Sequence, residues 1–307
     1  MKSNETIHFD TPPILLAAWP GLGNVGILAI DYLRRKMETK VFAQVDMSTL
    51  VAPSSMVVKE GIVSFPELPD GIFHYHKDPD LIFFESSAQV AGKEGVMMAE
   101  TILDFARRFR VPRVYTAAAL TQPMSHTMQS NVLCASNSSR LLRALETYGT
   151  IPMSDGQIAG LNGLLLGVAA SRGIDAACIL GTIPTYAGNV TYPKAAREIV
   201  KTISSVLDVD VDLEEIDEAT ETMDTLLEGI EERIREYFPS VISQGEPGEE
   251  FGEMESEQVP QYVMDKIEVL FHEAERDREQ AMPLKEELDR WNLFDLYEDR
   301  FLDLFEE

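Results

Sequence analysis

From Ile14 to about Leu207, short apolar runs alternate with stripes of apolar residues at helical spacing. The runs cover 14–19, 41–46, 81–85, 113–119, 132–136 and 176–181, each as continuous as a strand buried on both faces. Helical stripes fill 25–37, 94–109, 137–148, 157–172 and 193–207. This alternation predicts an α/β domain with a mostly parallel sheet covered by helices on both sides. Segment 50–80 breaks the rhythm with Pro53, Pro66, Pro69 and Pro79. Its β-prone pieces, Met56-Val57-Val58 and Ile72-Phe73-His74-Tyr75, predict hairpins inserted after the second strand. Pro112 ends one helix, and Gly149 and Gly173 stand where a left-handed residue closes a helix.

Past residue 208 the pattern is wholly helical. Leu213, Ile216, Thr220, Met223, Leu227, Ile230, Ile234 and Tyr237 recur at spacings of three and four, an amphipathic helix or short coiled-coil seam. Pro239 stops it, and residues 239–260 are rich in Gly, Pro and Glu, as a flexible acidic linker is. A further helix is expected near 260–281, with Val263, Ile267, Leu270 and Ala274 on one side. Trp291, Leu293, Phe294, Tyr297, Phe301, Leu304 and Phe305 follow and need cover, from this chain or another subunit. The pattern divides the chain into an α/β core domain (1–207) and an acidic helical region (208–307).

Charge sharpens that division. Residues 1–205 carry 18 basic and 18 acidic side chains; residues 206–307 carry 8 and 34, the whole of the net −26. Such a surface repels phosphates, so neither nucleic acid nor an anionic membrane is an expected partner, whereas a basic or apolar client protein is. No run approaches the ~18 apolar residues of a membrane span. Met1–Asp10 has no apolar stretch of a secretory signal. Cys134 and Cys178 sit inside apolar runs, as small buried hydrophobes do. A soluble cytoplasmic protein is expected.

The junction of the first strand and helix reads Trp19-Pro20-Gly21-Leu22-Gly23-Asn24-Val25-Gly26. Its G-x-G-x-x-G spacing, with Asp46 closing the second run, has the form of a dinucleotide fingerprint. Two other readings fit: a tight turn that seats the helix on the sheet, or a loop offering amides to an anion or a partner's carboxylate. The insertion-like region after Asp46 speaks against the dinucleotide. A second group, Gly160, Gly163 and Gly167, lies on one helical face and permits close packing on the sheet or a subunit, or a ligand at the helix start.

Open α/β sheets bind ligands at the carboxyl ends of their strands. Candidate binding residues there are Pro20, Gly21, Leu22, Gly23, Asn24, Glu85, His126, Asn162, Gly163 and Thr182. Glu85 or His126 is the acid/base an enzyme would use. No nucleophile elbow, phosphate loop, H-E-x-x-H or C-x-x-C occurs, and His74 and His76 have no cysteine or carboxylate at ligand spacing. No catalytic residue, metal or cofactor is assigned.

These motifs resemble the proteasome assembly chaperone two family. The resemblance rests on residues 19–26 with Ala29-Ile30-Asp31-Tyr32-Leu33, then Phe83-Phe84-Glu85-Ser86-Ser87-Ala88-Gln89. It continues in Gly160-Leu161-Asn162-Gly163-Leu164-Leu165-Leu166-Gly167 and Ile179-Leu180-Gly181-Thr182-Ile183-Pro184-Thr185-Tyr186, spanning about 14–207. It makes the first glycine group a family turn and implies a three-layer α/β/α sandwich of the phosphorylase/hydrolase-like type. It also implies self-association, as a dimer or trimer, and a role in protein assembly. Relatives also bear an ATP-grasp ligase label, but this chain has no phosphate loop or acid pair to hold ATP and magnesium. Assembly factors of this kind can dock through a hydrophobic–Tyr–any tail; here Glu306 stands in place of the tyrosine, so that route is not expected. The reading is a non-enzymatic, homo-oligomeric, chaperone-like assembly factor. The alternative is a small-molecule or nucleotide-binding enzyme, ligase- or phosphorylase-like, using the strand-end rim.

Overall fold

Every apolar run read as a strand joins one sheet in the computed structural model, which describes residues 2–3, 7–51, 56–59, 61–66, 68–237, 267, 270–271, 274, 281–290, 297 and 301. The sheet contains β1 (Lys2–Ser3), β2 (Ile14–Ala18), β3 (Lys40–Val45), β6 (Gly71–His76), β7 (Leu81–Ser86), β8 (Arg113–Gln122), β9 (Val132–Ser136), β10 (Ile151–Pro152) and β11 (Asp175–Pro184). A separate hairpin pairs β4 (Val57–Lys59) with β5 (Ile62–Ser64). The helices are α1 (Val25–Lys36), α2 (Gly92–Arg108), α3 (Ser139–Glu146), α4 (Gly160–Ser171), α5 (Pro193–Leu207), α6 (Glu214–Tyr237) and α7 (Ala281–Arg290).

Across the sheet the order is β1-β3-β6-β7-β2-β8-β11-β9-β10. The parallel character sits at the centre, where β7, β2, β8 and β11 run together. Antiparallel pairs flank it: β6 on β7, β3 on β6, and β9 on β11. Both pieces expected to form hairpins do so, but only 57–64 makes one apart from the main sheet. Residues 72–75 belong to β6, whose Phe73 is wholly buried, and β6 separates β3 from the parallel centre.

Helices α2 and α4 cover one face over a core that includes Leu15, Phe84, Ile102 and Leu165. Its outer half is aromatic: the ring of Phe73 lies 4.0 Å from that of Phe105, and that of Phe42 lies 5.2 Å from Phe105. Helices α1, α3 and α5 cover the other face over Leu16, Phe83, Tyr115 and Ile179. Helix α6 lies on α5 and adds Ile216 and Leu227 to the same core, with Leu213, Met223 and Ile230 partly buried against it; the side chains of Ile234 and Tyr237 lie outside the described residues. Residues Met1–Gly245 form one compact unit and Glu246–Glu307 another. In the second, Ile267, Phe271, Ala274, Leu284, Leu288 and Phe301 pack together. The linker expected at 239–260, Val263, Trp291, Leu293, Phe294 and Leu304, and the closing Phe305-Glu306-Glu307 lie outside the described residues.

Gly26 fixes how near α1 comes to the sheet. A methyl group there would overlap the Ala117 carbonyl oxygen and stand 2.6 Å from its carbon, so helix backbone meets strand backbone directly. Backbone cannot swing aside as a side-chain tip can. Gly26→Ala is therefore expected to lower stability by about 3 kcal/mol, at the upper end for overpacking, read as a lower urea midpoint at unchanged m-value. An unchanged midpoint would show that α1 has room to shift.

Candidate functional site at the strand ends

The first glycine group is a turn locked by backbone hydrogen bonds. Gly23 has φ +57°, and its N–H donates to the Gly188 carbonyl at 2.7 Å, while its own carbonyl accepts from Tyr192 N–H at 2.9 Å. A side chain at Gly23 would stand 3.2–3.3 Å from Val25, Ile183 and Tyr192. Asn24, also left-handed at φ +49°, donates its N–H to the Gly21 carbonyl at 2.9 Å. Two of the amides that could have cradled an anion are thus engaged within the chain. A dinucleotide fold would place the second strand beside the first, whereas here β3 lies three places from β2. Asp46, its would-be ribose partner, accepts from Ser48 N–H at 3.1 Å and Ser48 Oγ at 2.6 Å.

The two glycine groups meet at Gln89. A methyl group at Gly160, whose φ is +66°, would overlap Gln89 Nε2, and one at Gly21 would come within 4.0 Å of Gln89 Oε1. Gly163 lies against the Ile158 carbonyl, leaving no space for a side chain, while nothing lies near Gly167. Pro20 is half-buried and Leu22 exposed beside this junction. Asn162 is buried in α4, and its Oδ1 has no hydrogen-bond partner.

Glu85 turns the other way, under α1, where Arg34 Nε donates to it at 2.8 Å and Asp31 pairs with the same guanidinium. Burial pushes the Glu85 carboxyl up to about 7, against the pull of Arg34. Burial, with the nearby Arg34 charge, draws His74 down to about 4. Thr182 is buried, its Oγ1 accepting from Asn131 N–H at 2.8 Å.

His126 is the predicted residue with the densest surroundings. It is buried, and its Nδ1 is hydrogen-bonded to Glu231 Oε2. The same oxygen accepts from Tyr186 OH at 2.9 Å, Ser125 Oγ at 2.9 Å and His126 N–H at 3.3 Å. Burial works to raise the Glu231 carboxyl, but these hydrogen bonds hold it below its ordinary value. Lys194 completes the group, donating to the His126 carbonyl and pairing with Asp224 at 2.8 Å. An acid of α6 therefore occupies the loops that follow β8 and β11. Sequence reasoning passed over Glu231, yet it carries a signal: it stands four residues after buried Leu227, a carboxylate on the apolar side of an amphipathic helix.

The strand ends thus gather the predicted residues into separate places: the turn 20–24 with Gln89 and Gly160, the His126–Glu231 group, and Glu85 beneath α1. Among the described residues no His, Cys, Asp and Glu side chains cluster as a metal site, and no helix is long and apolar enough to cross a membrane.

Residues 15–231 match the model of the PAC2 family. The chain belongs to the PAC2 family. A protein of Methanocaldococcus jannaschii, itself called uncharacterised, is 23% identical over 240 residues, covering 77% of this chain and 90% of that one. Among solved structures, Pyrococcus furiosus PbaB, described as an archaeal proteasome activator, is similar at TM-score 0.62 and 24% identity, over 75% of this chain and 96% of PbaB. P. furiosus PbaA, described as an archaeal homologue of proteasome-assembly chaperone, gives 0.60 and 21%, over 77% and 94%. Mycobacterium tuberculosis Rv2125, described as a proteasome-assembly chaperone homologue, gives 0.59 and 18%, over 73% and 96%. The PAC2 fold accords with the α/β/α sandwich that the glycine motifs implied.

Two carboxylates predict opposite pH behaviour. Glu231, held low when folded, contributes stability above the unfolded value of about 4.3 and loses it as pH falls through the folded value. Glu231→Ala is expected to cost about 3 kcal/mol near neutrality, because buried His126 and half-buried Tyr186 lose their acceptor. Its gap from the parent should close in acid. Glu85, raised to about 7, contributes fully below its unfolded value and loses that contribution as pH rises through 7. Urea unfolding between pH about 5 and about 8 should show a shallower decline for Glu85→Gln than for the parent. Parallel profiles would refute the assignment.

Proposed function

We propose that this PAC2 chain is a non-enzymatic protein-assembly factor that acts as a homo-oligomer and binds its clients through protein surfaces. The observation that carries the reading is the Glu231 carboxylate in the strand-end loops. The position where an open α/β sheet offers itself to a small molecule holds a side chain of the same chain's α6. The descriptions of PbaA, PbaB and Rv2125 support an assembly role and make unassembled proteasome subunits the first clients to test. The acidic excess beyond residue 205 favours a basic face on that client. Gly21, Leu22 and the neighbouring Gln89 form the rim on which such a client would rest.

Native mass spectrometry of the full chain with its host's unassembled proteasome subunits tests this directly. A defined complex is expected; no complex, together with a stoichiometric small molecule retained on the protein, would transfer the assignment to the enzyme alternative. Truncation separates the acidic tail from the core. A chain ending at Gly245 should stay folded and bind the client more weakly, with a flatter salt dependence. A chain ending at Leu207 should aggregate, because it loses Ile216, Leu227 and Glu231 from the core.

A further inference from the structure

The β4–β5 hairpin forms a sheet of its own, and its described residues give it one apolar face. Val58 and Val63 are cross-strand partners, so they share a face, and Met56 and Phe65 extend it by the two-residue period of a strand. These four are 63%, 64%, 44% and 77% exposed. A lone two-stranded hairpin is marginal in water, and a contiguous apolar face of this kind marks a contact surface.

The same unit carries an open groove of about 630 Å³ bounded by α4, the start of α2 and the end of β9. Ala91, Ala135, Ile158, Leu164, Gly167 and Ala170 are among its lining residues, and none of the described lining residues is charged. A Cβ added at Gly167 would meet nothing within 4 Å, so the groove has room for side chains from outside.

In its own chain the hairpin leaves this groove open, its four apolar side chains standing exposed. It is inserted between β3 and β6 near one edge of the sheet, while the groove borders β9 near the other. Edge-to-edge pairing of two hairpins would complete their ladders but leave the apolar face in water. The groove of a second copy, whose described lining carries no charge, matches that face in polarity and would cover it without burying an unpaired charge.

We propose that the β4–β5 hairpin of one copy docks, by its Met56/Val58/Val63/Phe65 face, in the α4 groove of the next. The contact is heterologous, head to tail, and repeats until a ring closes. It rests on the self-association in the proposed function and names the surfaces that produce it.

Sedimentation velocity on the full-length protein tests the contact with an arm variant (Val63→Asp with Phe65→Asp) and a groove variant (Gly167→Trp). The parent should sediment as an oligomer and each variant as a monomer. Mixed in equal amounts, the variants should form a dimer and nothing larger, because the mixture holds one intact hairpin facing one intact groove. Circular dichroism and thermal melting establish that each variant is folded; if either is not, Phe65→Ser or Gly167→Leu replaces it. An oligomeric parent whose variants both stay oligomeric overturns the contact and leaves self-association standing. So does a monomeric arm variant that the groove variant fails to rescue. A monomeric parent overturns both.

Discussion

The seat of α1 on β8 is the constraint from which the strand ends take their shape. With no side chain at Gly26, the helix lies with its backbone against the Ala117 carbonyl. A helix that close must begin abruptly, and Gly23 and Asn24 supply the start by adopting left-handed conformations in succession. The turn they make is paired on both sides, Gly23 N–H to Gly188 and Tyr192 N–H to Gly23. Those bonds hold the loop between β11 and α5. Helix α5 is itself drawn in at Gly181, where a Cβ would come 2.9 Å from that of Ala195. Two close helix–strand contacts and the backbone bonds between them make a rigid frame, and the side chains of the rim inherit their positions from it.

Helix α6 is fastened to that frame by acids seven residues apart. Asp217 pairs with Arg197, Asp224 with Lys194, and Glu231 with His126. Half-exposed pairs of the first kind contribute little to stability, often under about 1 kcal/mol. The buried Glu231 differs, because a carboxylate removed from water is tolerable only where donors replace its hydration. Ser125, His126 and Tyr186 are those donors. The apolar stripe of α6 sets which side faces the core, and Glu231 ties the helix to the loops after β8 and β11.

Much of this architecture is legible in the residue pattern. Continuous apolar runs mark the strands of the parallel centre, because strands buried on both faces must be apolar throughout. Strand β6 is harder: proline-bounded and carrying His74 and His76, it reads as part of an insertion, and only its pairing with β3 and β7 places it in the sheet. For the site, the sequence supplies the glycines but not their use. Spacing alone does not say that Gly26 meets a strand carbonyl while Gly21 and Gly160 face one glutamine, since both depend on crossings distant in sequence. His126 reads as an ordinary loop histidine until Glu231, 105 residues away, is brought to it.

The extent of the family match carries a further step. It runs from 15 to 231, past α5 and through α6 to the carboxylate beside His126, and it ends before the unit that begins at Glu246. The acids of the chain therefore belong to two different systems. Of those in α6, Glu215, Asp217, Asp224 and Glu231 are matched with Arg35 and Lys36, Arg197, Lys194 and His126. Those beyond 245 lie outside the matched core, whose first 205 residues balance to zero. The family match thus takes in the α1–β8 seat and the His126–Glu231 group, and leaves out the acidic stretch beyond 245.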